Sequence, residues 1–460
     1  MAPTADATLS LEDTLTEAGG AVNLLRSAGL GPYVFPVIPP EFTNWRDEVR
    51  AWKDSCALLE QSYHMTELRL RGPEIIPLLA EISVNKLDPF PVLRAKQLVL
   101  ASHDGYLIAD AIMFHEADGF VRIVGAPFAS DWVQFNVEQG QYEVEAERDD
   151  NFSVRSGRRD VFRIQIQGPN ALPLVEELTN GHAPDVKFFD IGELEIAGKK
   201  LRALRHGMAG EAGFEIYGPW DDQDAVREAI QVAGEKYGLR RVGALAYSTT
   251  AQESGWMPMP LPAIYHSAEM KPYREWLNGY FLETIGSLGG SLISDDITDY
   301  YVDPVEVGYK NLIDFNRDFI GRDALVEKVE NQRRTKVTLE WNDEDALAVA
   351  RDSLFPKQQV PAKALGLPLS MYATFESDAV VKGGEVVGVS QWPSYSANAE
   401  HFISLGLVDL DQAEPGNEVT LLWGEPDSRR ATVERHEVRE IRAKVAPAPY
   451  FDKVIKSGKN

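Results

Sequence analysis

The segment Arg205-His-Gly-Met-Ala-Gly-Glu-Ala-Gly-Phe-Glu-Ile-Tyr-Gly-Pro219 is the stretch from which the rest of this chain is best read. Glycines 207, 210 and 213 mark close turns, and Phe214–Tyr217 then has the spacing of a strand. Within that strand Glu215 stands among apolar neighbours, where a carboxylate is costly unless something pairs with it. A flat heterocycle offering an amino group and a ring N–H side by side is one such partner; an exposed glutamate on an alternating strand is the plainer alternative. Upstream, Phe162-Arg-Ile-Gln-Ile-Gln-Gly168 reads as a strand leading into a helix over 169–178, then strands over 193–206 and 213–217 and a helix over 221–237.

A similar order occurs earlier in the chain. The spacing predicts a helix over 8–28 stopped at Gly29 and Gly31-Pro32, then an extended, proline-rich segment over 33–40. A strand over 62–71, a helix over 73–83 and a three-strand meander from Lys96 to Val124 follow. Two stretches of this kind predict two α+β domains of related build. Beyond the charged run 327–336, short strands at 337–341, 385–392, 403–410, 418–423 and 431–438 predict a small all-β barrel or sandwich. The expected division is 1–155, 156–328 and 329–460, in keeping with 460 residues at about 150 per domain. Residues 452–460 read as a solvated tail.

The charge balance is 46 Lys+Arg against 71 Asp+Glu, a net −25. Such a chain repels phosphate backbones, which disfavours nucleic acid as a partner. No apolar run approaches the ~20 residues needed to span a bilayer, and the N-terminus lacks the basic start and apolar stretch of a secretory signal. The single cysteine, Cys56, excludes internal disulfides and a cysteine cage for zinc or iron–sulfur. The expectation is a soluble cytoplasmic protein, monomeric or weakly homo-oligomeric. No Walker A, H-E-x-x-H or G-x-S-x-G sequence occurs, no G-x-G-x-x-G follows a strand, and the eight histidines have no metal-ligand spacing.

A second informative segment is Val242-Gly-Ala-Leu-Ala-Tyr-Ser-Thr-Thr-Ala-Gln-Glu-Ser-Gly-Trp-Met-Pro-Met-Pro260. Helical spacing sets Tyr247 and Gln252 about a turn and a half apart, with a break at Gly255-Trp256. Taken alone, Tyr247 and Trp256 read as core aromatics.

With these segments in hand, the chain resembles the aminomethyltransferase (glycine-cleavage T-protein) superfamily. The matches, in order, are Gln167-Gly-Pro169, Gly210-Glu-x-Gly-Phe-Glu-Ile216, Glu253-x-Gly255, Pro304-x-Glu-x-Gly308, Phe319-Ile-Gly-Arg-Asp-Ala-Leu325 and Gly388-Val-Ser390. Within it, the chain is most similar to the tetrahydrofolate-dependent O-demethylases of vanillate and syringate. Pro40-Glu-Phe-x-Asn-Trp-Arg46, Tyr63-His-Met65, Arg205-His-Gly-Met-Ala-Gly210, Glu253-Ser-Gly-Trp256, Leu261-Pro-Ala-Ile-Tyr265 and Tyr273-Arg-Glu-Trp-Leu277 carry that likeness. Ala246-Tyr-Ser248 replaces the A-R-D of the T-proteins, and their paired acids are reduced to Ala109-Asp110. An aminomethyltransferase is therefore the weaker alternative. A non-catalytic folate module is weaker still, because Cys56 lies in Asp-Ser-Cys-Ala-Leu rather than K-G-C-Y-x-G-Q.

The resemblance implies an α+β fold of three domains in a cloverleaf, the last a β-barrel, and tetrahydrofolate as methyl acceptor. It implies Tyr247 as the acid that protonates the departing phenolate; a phenol of ordinary pKa near 10 is protonated at neutral pH. His64 and Gln61 would bind the aromatic substrate or orient Tyr247, and Tyr33 would line the ring pocket. Glu215 would take the pterin amino group and N3–H, and Trp256 would offer a flat face. Gln165, Gln167, Asp110 and Arg205 complete the expected folate side, with Arg205 giving local positive charge inside an acidic shell. The substrate expected is a methoxylated aromatic acid. The vanillate enzymes' arginine is absent from Val124-Gly-Ala-Pro-Phe128, so a doubly methoxylated ring such as syringate is favoured over vanillate, 3-O-methylgallate or a chlorinated methoxybenzoate. Arg122 lies on the same strand.

Overall fold

A computed structural model describes residues 9–32, 34–357, 359–426 and 428–451. Its frame is two main sheets and a closed barrel. The six-stranded sheet runs Leu239–Val242, Cys56–Glu60, Val161–Gln167, Gly213–Pro219, Lys199–Arg205, Ile191–Ile196. Its first pair is parallel and the others antiparallel. Strand Cys56–Glu60 thus belongs to the sheet that residues 161–242 build.

The central strand Val161–Gln167 shows why this sheet makes a site. Phe162, Ile164 and Ile166 point to one face, where they pack with Phe214 and Ile216 under Leu174, Val175, Val226 and Ile230 of helices Ala171–Leu178 and Gln223–Gly234. Each such side chain contributes about 1.5–3 kcal/mol by leaving water. Arg163, Gln165 and Gln167 take the other face by the period of two, and they too are buried. A sheet with an apolar face and a buried polar face must pair the second or present it to a ligand.

The five-stranded sheet is antiparallel in the order Arg94–Ala101, Leu107–Ala117, Phe120–Gly125, Thr66–Arg71, Glu145–Asp149. Helices Ile75–Ile82 and Pro127–Glu138 cover it through a core that includes Leu68, Leu70, Val121, Ile123 and Trp132. The barrel closes six strands, from Arg334–Trp341 to Arg439–Ala446, around Leu339, Trp341, Val380, Leu421, Trp423 and Ile441. Glu253 fastens the barrel to the rest: it accepts from Trp52 Nε1 (2.8 Å) and from Ser396 Oγ (2.7 Å) of a barrel strand.

Several elements differ from the sequence-based expectation. The helix expected over 8–28 is two helices, Leu11–Ala18 and Ala21–Ser27, because Gly19 and Gly20 take φ of +74° and +120°. The strand expected over 193–206 is a hairpin that turns at Ala197-Gly198, with φ of +52° and +73°. The last barrel strand is Arg439–Ala446 rather than 431–438, and helix Asp343–Leu354 was not anticipated. Residues 452–460, expected as a tail, lie outside the described residues.

Candidate active site

Between the two sheets, and closed on one side by the first barrel strand, lies a cavity of about 800 Å³. That is within the roughly 300–1,000 Å³ range of small-molecule sites. Asp110, Phe114 and Val124 line it from the five-stranded sheet, Arg163 and Glu215 from the six-stranded sheet, and Lys336 from the barrel. Gln61, Met208, Trp256 and Tyr309 complete the part that bears on chemistry.

Glu215 faces this cavity because Phe214 and Ile216 beside it face the apolar core. Its turn needs Gly213: a Cβ there would stand 2.1 Å from the Ile166 carbonyl oxygen. Burial raises the Glu215 pKa, and the Arg163 guanidinium, whose Nη1 donates to Glu215 Oε1 at 2.7 Å, opposes that rise. Gln165 and Gln167 share the face. Gln165 Oε1 accepts from Gln61 Nε2 (3.0 Å), and Gln167 Oε1 accepts from the Ala209 N–H (3.2 Å). Their own Nε2 groups and Gln61 Oε1 are buried with no hydrogen-bond partner. Buried amides without a partner beside a buried carboxylate call for an explanation, and a polar ligand supplies one.

Asp110 forms a second polar centre. It accepts from Trp256 Nε1 (2.8 Å), Tyr309 Oη (2.5 Å) and Gln97 Nε2 (2.6 Å) on one oxygen, Oδ2. Burial raises its pKa, and these three donors counter the rise. The bond holds the Trp256 indole in the cavity wall. Trp256 follows Gly255, which ends helix Thr250–Ser254 at φ +66°.

Beyond Met208 of the lining, Tyr247, His64 and Phe35 meet ring to ring, with centroids 4.6–4.8 Å apart. The Tyr247 hydroxyl donates to Met208 Sδ at 3.0 Å, and Gln61 Nε2 donates to the same sulfur at 2.8 Å. Burial, reinforced by the charge of Arg159, pushes the His64 pKa down to about 3, so its imidazole is neutral. Tyr247 is placed by helix Ala244–Tyr247, whose Ala244 and Leu245 N–H groups donate to the Pro39 and Pro40 carbonyls at 2.9 and 3.1 Å. The proline-rich segment therefore caps the helix that carries Tyr247, and Phe35 from the same segment packs on its ring.

Of the residues expected from the sequence, Gln61, Asp110, Glu215 and Trp256 line the cavity; Gln165 and Tyr247 reach that lining through Gln61 and Met208, Gln167 bonds the Ala209 N–H, and His64 packs on Tyr247. Tyr33 lies outside the described residues. Arg205 does not join them: its guanidinium lies over the Phe214 ring at 5.0 Å, on the face of the sheet opposite Glu215. One residue of strand alternation separates the two faces. Arg122 is also spoken for, donating to Glu67 Oε2 (2.7 Å) and Glu116 Oε1 (2.9 Å). Sequence reasoning missed Arg163, Met208, Phe35 and Tyr309. Arg163 could have been found from its place between Phe162 and Ile164, since a charge amid an apolar strand calls for a partner as much as Glu215 does.

Comparison with known proteins agrees with this architecture. Residues 16–260 match the GCVT N-terminal domain. The chain is 40% identical to the syringate O-demethylase of Sphingobium sp. (strain NBRC 103272 / SYK-6) over 96% of each chain. It is 26% identical to the sesamin methylene transferase of Sinomonas sp. (strain No.22), over 96% of this chain and 95% of the other. Its fold is that of the glycine cleavage system aminomethyltransferase T from Bartonella henselae, with a TM-score of 0.60 over 93% of this chain and 96% of that one, at 14% identity. Matched along nearly its whole length by its relatives, the chain belongs to the aminomethyltransferase (GCVT) superfamily, with an O-demethylase among those relatives.

Proposed function

We propose that the protein is a tetrahydrofolate-dependent O-demethylase that moves the methyl group of a methoxybenzoate, syringate foremost, to N5 of the folate. The observation that carries this reading is that one cavity joins two kinds of wall. Glu215, with Trp256 held by Asp110, forms one; Gln61 and Met208, whose sulfur accepts from the Tyr247 hydroxyl, form the other.

The residues fit tetrahydrofolate: Glu215 would accept from the pterin's adjacent donors, Gln165 and Gln167 would offer amide donors, and Trp256 would offer a ring face. Bound there, the folate would supply N5 as the nucleophile, and the proton that N5 sheds on methylation balances the one that Tyr247 gives up. Tyr247 donates a proton to the aryl oxygen as the methyl–oxygen bond breaks, which makes the phenol a competent leaving group and is worth about 10²–10⁴ in rate. Neutral His64 and Phe35 hold the Tyr247 ring, and Gln61 lines the cavity beside the Met208 sulfur to which both it and Tyr247 donate. Holding the two reactants in one cavity supplies further acceleration through proximity.

The test is to incubate the protein anaerobically with tetrahydrofolate and, separately, syringate, vanillate, 3-O-methylgallate and a chlorinated methoxybenzoate. The expected products are 5-methyltetrahydrofolate and the matching phenol, with syringate turned over fastest. Absence of methylated folate from every substrate would overturn the proposal.

A further inference from the structure

A line of buried charges runs from the cavity wall into the protein. Arg163, which gives its Nη1 to Glu215, gives its Nε to Glu67 Oε1 at 2.6 Å; Glu67 is shared with Arg122, and Arg122 with Glu116. The signs alternate along the whole line. Arg163 and Glu215 belong to the six-stranded sheet, whereas Glu67, Arg122 and Glu116 belong to the five-stranded one. The line is therefore a clamp across the two sheets at the cavity. Arg163 is further fixed from both faces, with its guanidinium 4.7 Å from the Phe114 ring centroid and 4.5 Å from that of Tyr217.

This arrangement constrains Glu215. A buried carboxylate with no partner takes up a proton and loses its value as an acceptor. The charged groups facing it are Arg163 on the neighbouring strand and Glu67 across the gap between the sheets, and Arg163 alone is cationic. One oxygen of Glu215 is tied to Arg163, so the direction of the carboxylate is set by a group that is itself immobilised from three sides.

Resting on the assignment of Glu215 to the pterin, we propose that Arg163 is a positioning residue: by bridging Glu67 and Glu215 it aims the Glu215 carboxylate at the folate. Arg163 touches no reacting atom in this account. Its effect is confined to folate affinity and to the pH at which that affinity is lost.

The experiment measures dissociation constants of tetrahydrofolate and, separately, of syringate for wild type, Arg163→Gln, Arg163→Lys and Glu215→Gln at pH 6, 7 and 8 by calorimetry. Arg163→Gln is expected to weaken folate binding about tenfold at pH 8 and further as pH falls, with syringate unchanged. Wild type is expected to lose affinity less steeply as pH falls than Arg163→Gln does. Arg163→Lys, which restores charge without the two-ended bridge, is expected to recover the wild-type pH dependence with weaker binding. Folate affinity equal to wild type in Arg163→Gln, or equal losses for both ligands, would overturn the proposal. Should Arg163→Gln fail to fold, the same two outcomes in Arg163→Lys decide it. Wild-type folate binding by Glu215→Gln would overturn the underlying assignment instead, whatever the arginine variants show.

Discussion

The hydroxyl of Tyr247 donates to the sulfur of Met208 at 3.0 Å, and the thioether faces the cavity. A thioether is a weak acceptor, so an ether oxygen presented at the same place is the better partner for that hydroxyl. Tyr247→Phe removes the proton and keeps the ring packing against His64 and Phe35. The expected result is a kcat lowered about 10²–10⁴-fold with little change in folate affinity. Steady-state rates with calorimetry on the same protein check this; a full rate would remove Tyr247 as the acid.

Asp110 takes three donors from Trp256, Tyr309 and Gln97 on one oxygen. Asp110→Asn keeps one oxygen for those donors but removes the charge that strengthens the three bonds, and sets an amide NH2 in the buried place of the other oxygen. The expected loss of stability is about 1–3 kcal/mol, seen as a lower urea midpoint. Weaker folate binding is expected with it, because the indole of Trp256 loses its anchor.

His64 is held down at about 3 by burial and by Arg159. Its imidazole should therefore stay neutral from pH 8 to pH 5, and nitrogen NMR of the labelled histidine should show no titration there. The unfolded chain, with an ordinary histidine pKa near 6.5, gains a proton that the folded state does not, so this residue's contribution to stability falls as pH drops below about 6.5. An inflection near 6.5 in the folded protein would contradict this.

In the barrel region, two buried cations, Lys363 and Arg430, face three acids, Glu376, Asp378 and Glu425. Burial pushes the Asp378 pKa up to about 8 against the pull of Lys363. The folded state thus keeps a proton that the unfolded chain releases near pH 4, and the stabilisation present at low pH is lost as pH rises from 4 to 8. The slope is at most about 1.4 kcal/mol per pH unit. Urea unfolding at pH 5, 6, 7 and 8 should show it in wild type and show it flattened in Asp378→Asn.

What the sequence made legible was what local pattern controls. Phe162 to Gln167 and Phe214 to Tyr217 alternate, and that alternation sets Glu215, Gln165 and Gln167 on one face. The helix break at Gly19-Gly20 and the helix Asp343–Leu354, capped by Asn342 whose side chain accepts from the Asp345 N–H at 3.1 Å, both carry signals in the sequence. The final barrel strand falls at Arg439–Ala446 because apolar residues recur at every second place only from Ile441 on, whereas Glu434 to Glu437 are all polar or charged. Pairing with Glu418–Trp423 selects the window in which Ile441, Ala443 and Val445 point inward. The charged line through Arg163 could not be read at all, since its partner Glu67 is 96 residues away on another sheet. Arg205 was misplaced for the same kind of reason: neighbouring residues on a strand face opposite ways, and only the pairing says which way is the cavity.

Following the methyl group itself is the most direct measurement of the central claim. Syringate carrying carbon-13 in its methoxy groups, incubated with the protein and tetrahydrofolate, should give a labelled methyl on N5 and an equal amount of singly demethylated product by NMR. Label recovered as formaldehyde or as a methylene bridge on the folate, or left wholly on the ring, would contradict methyl transfer.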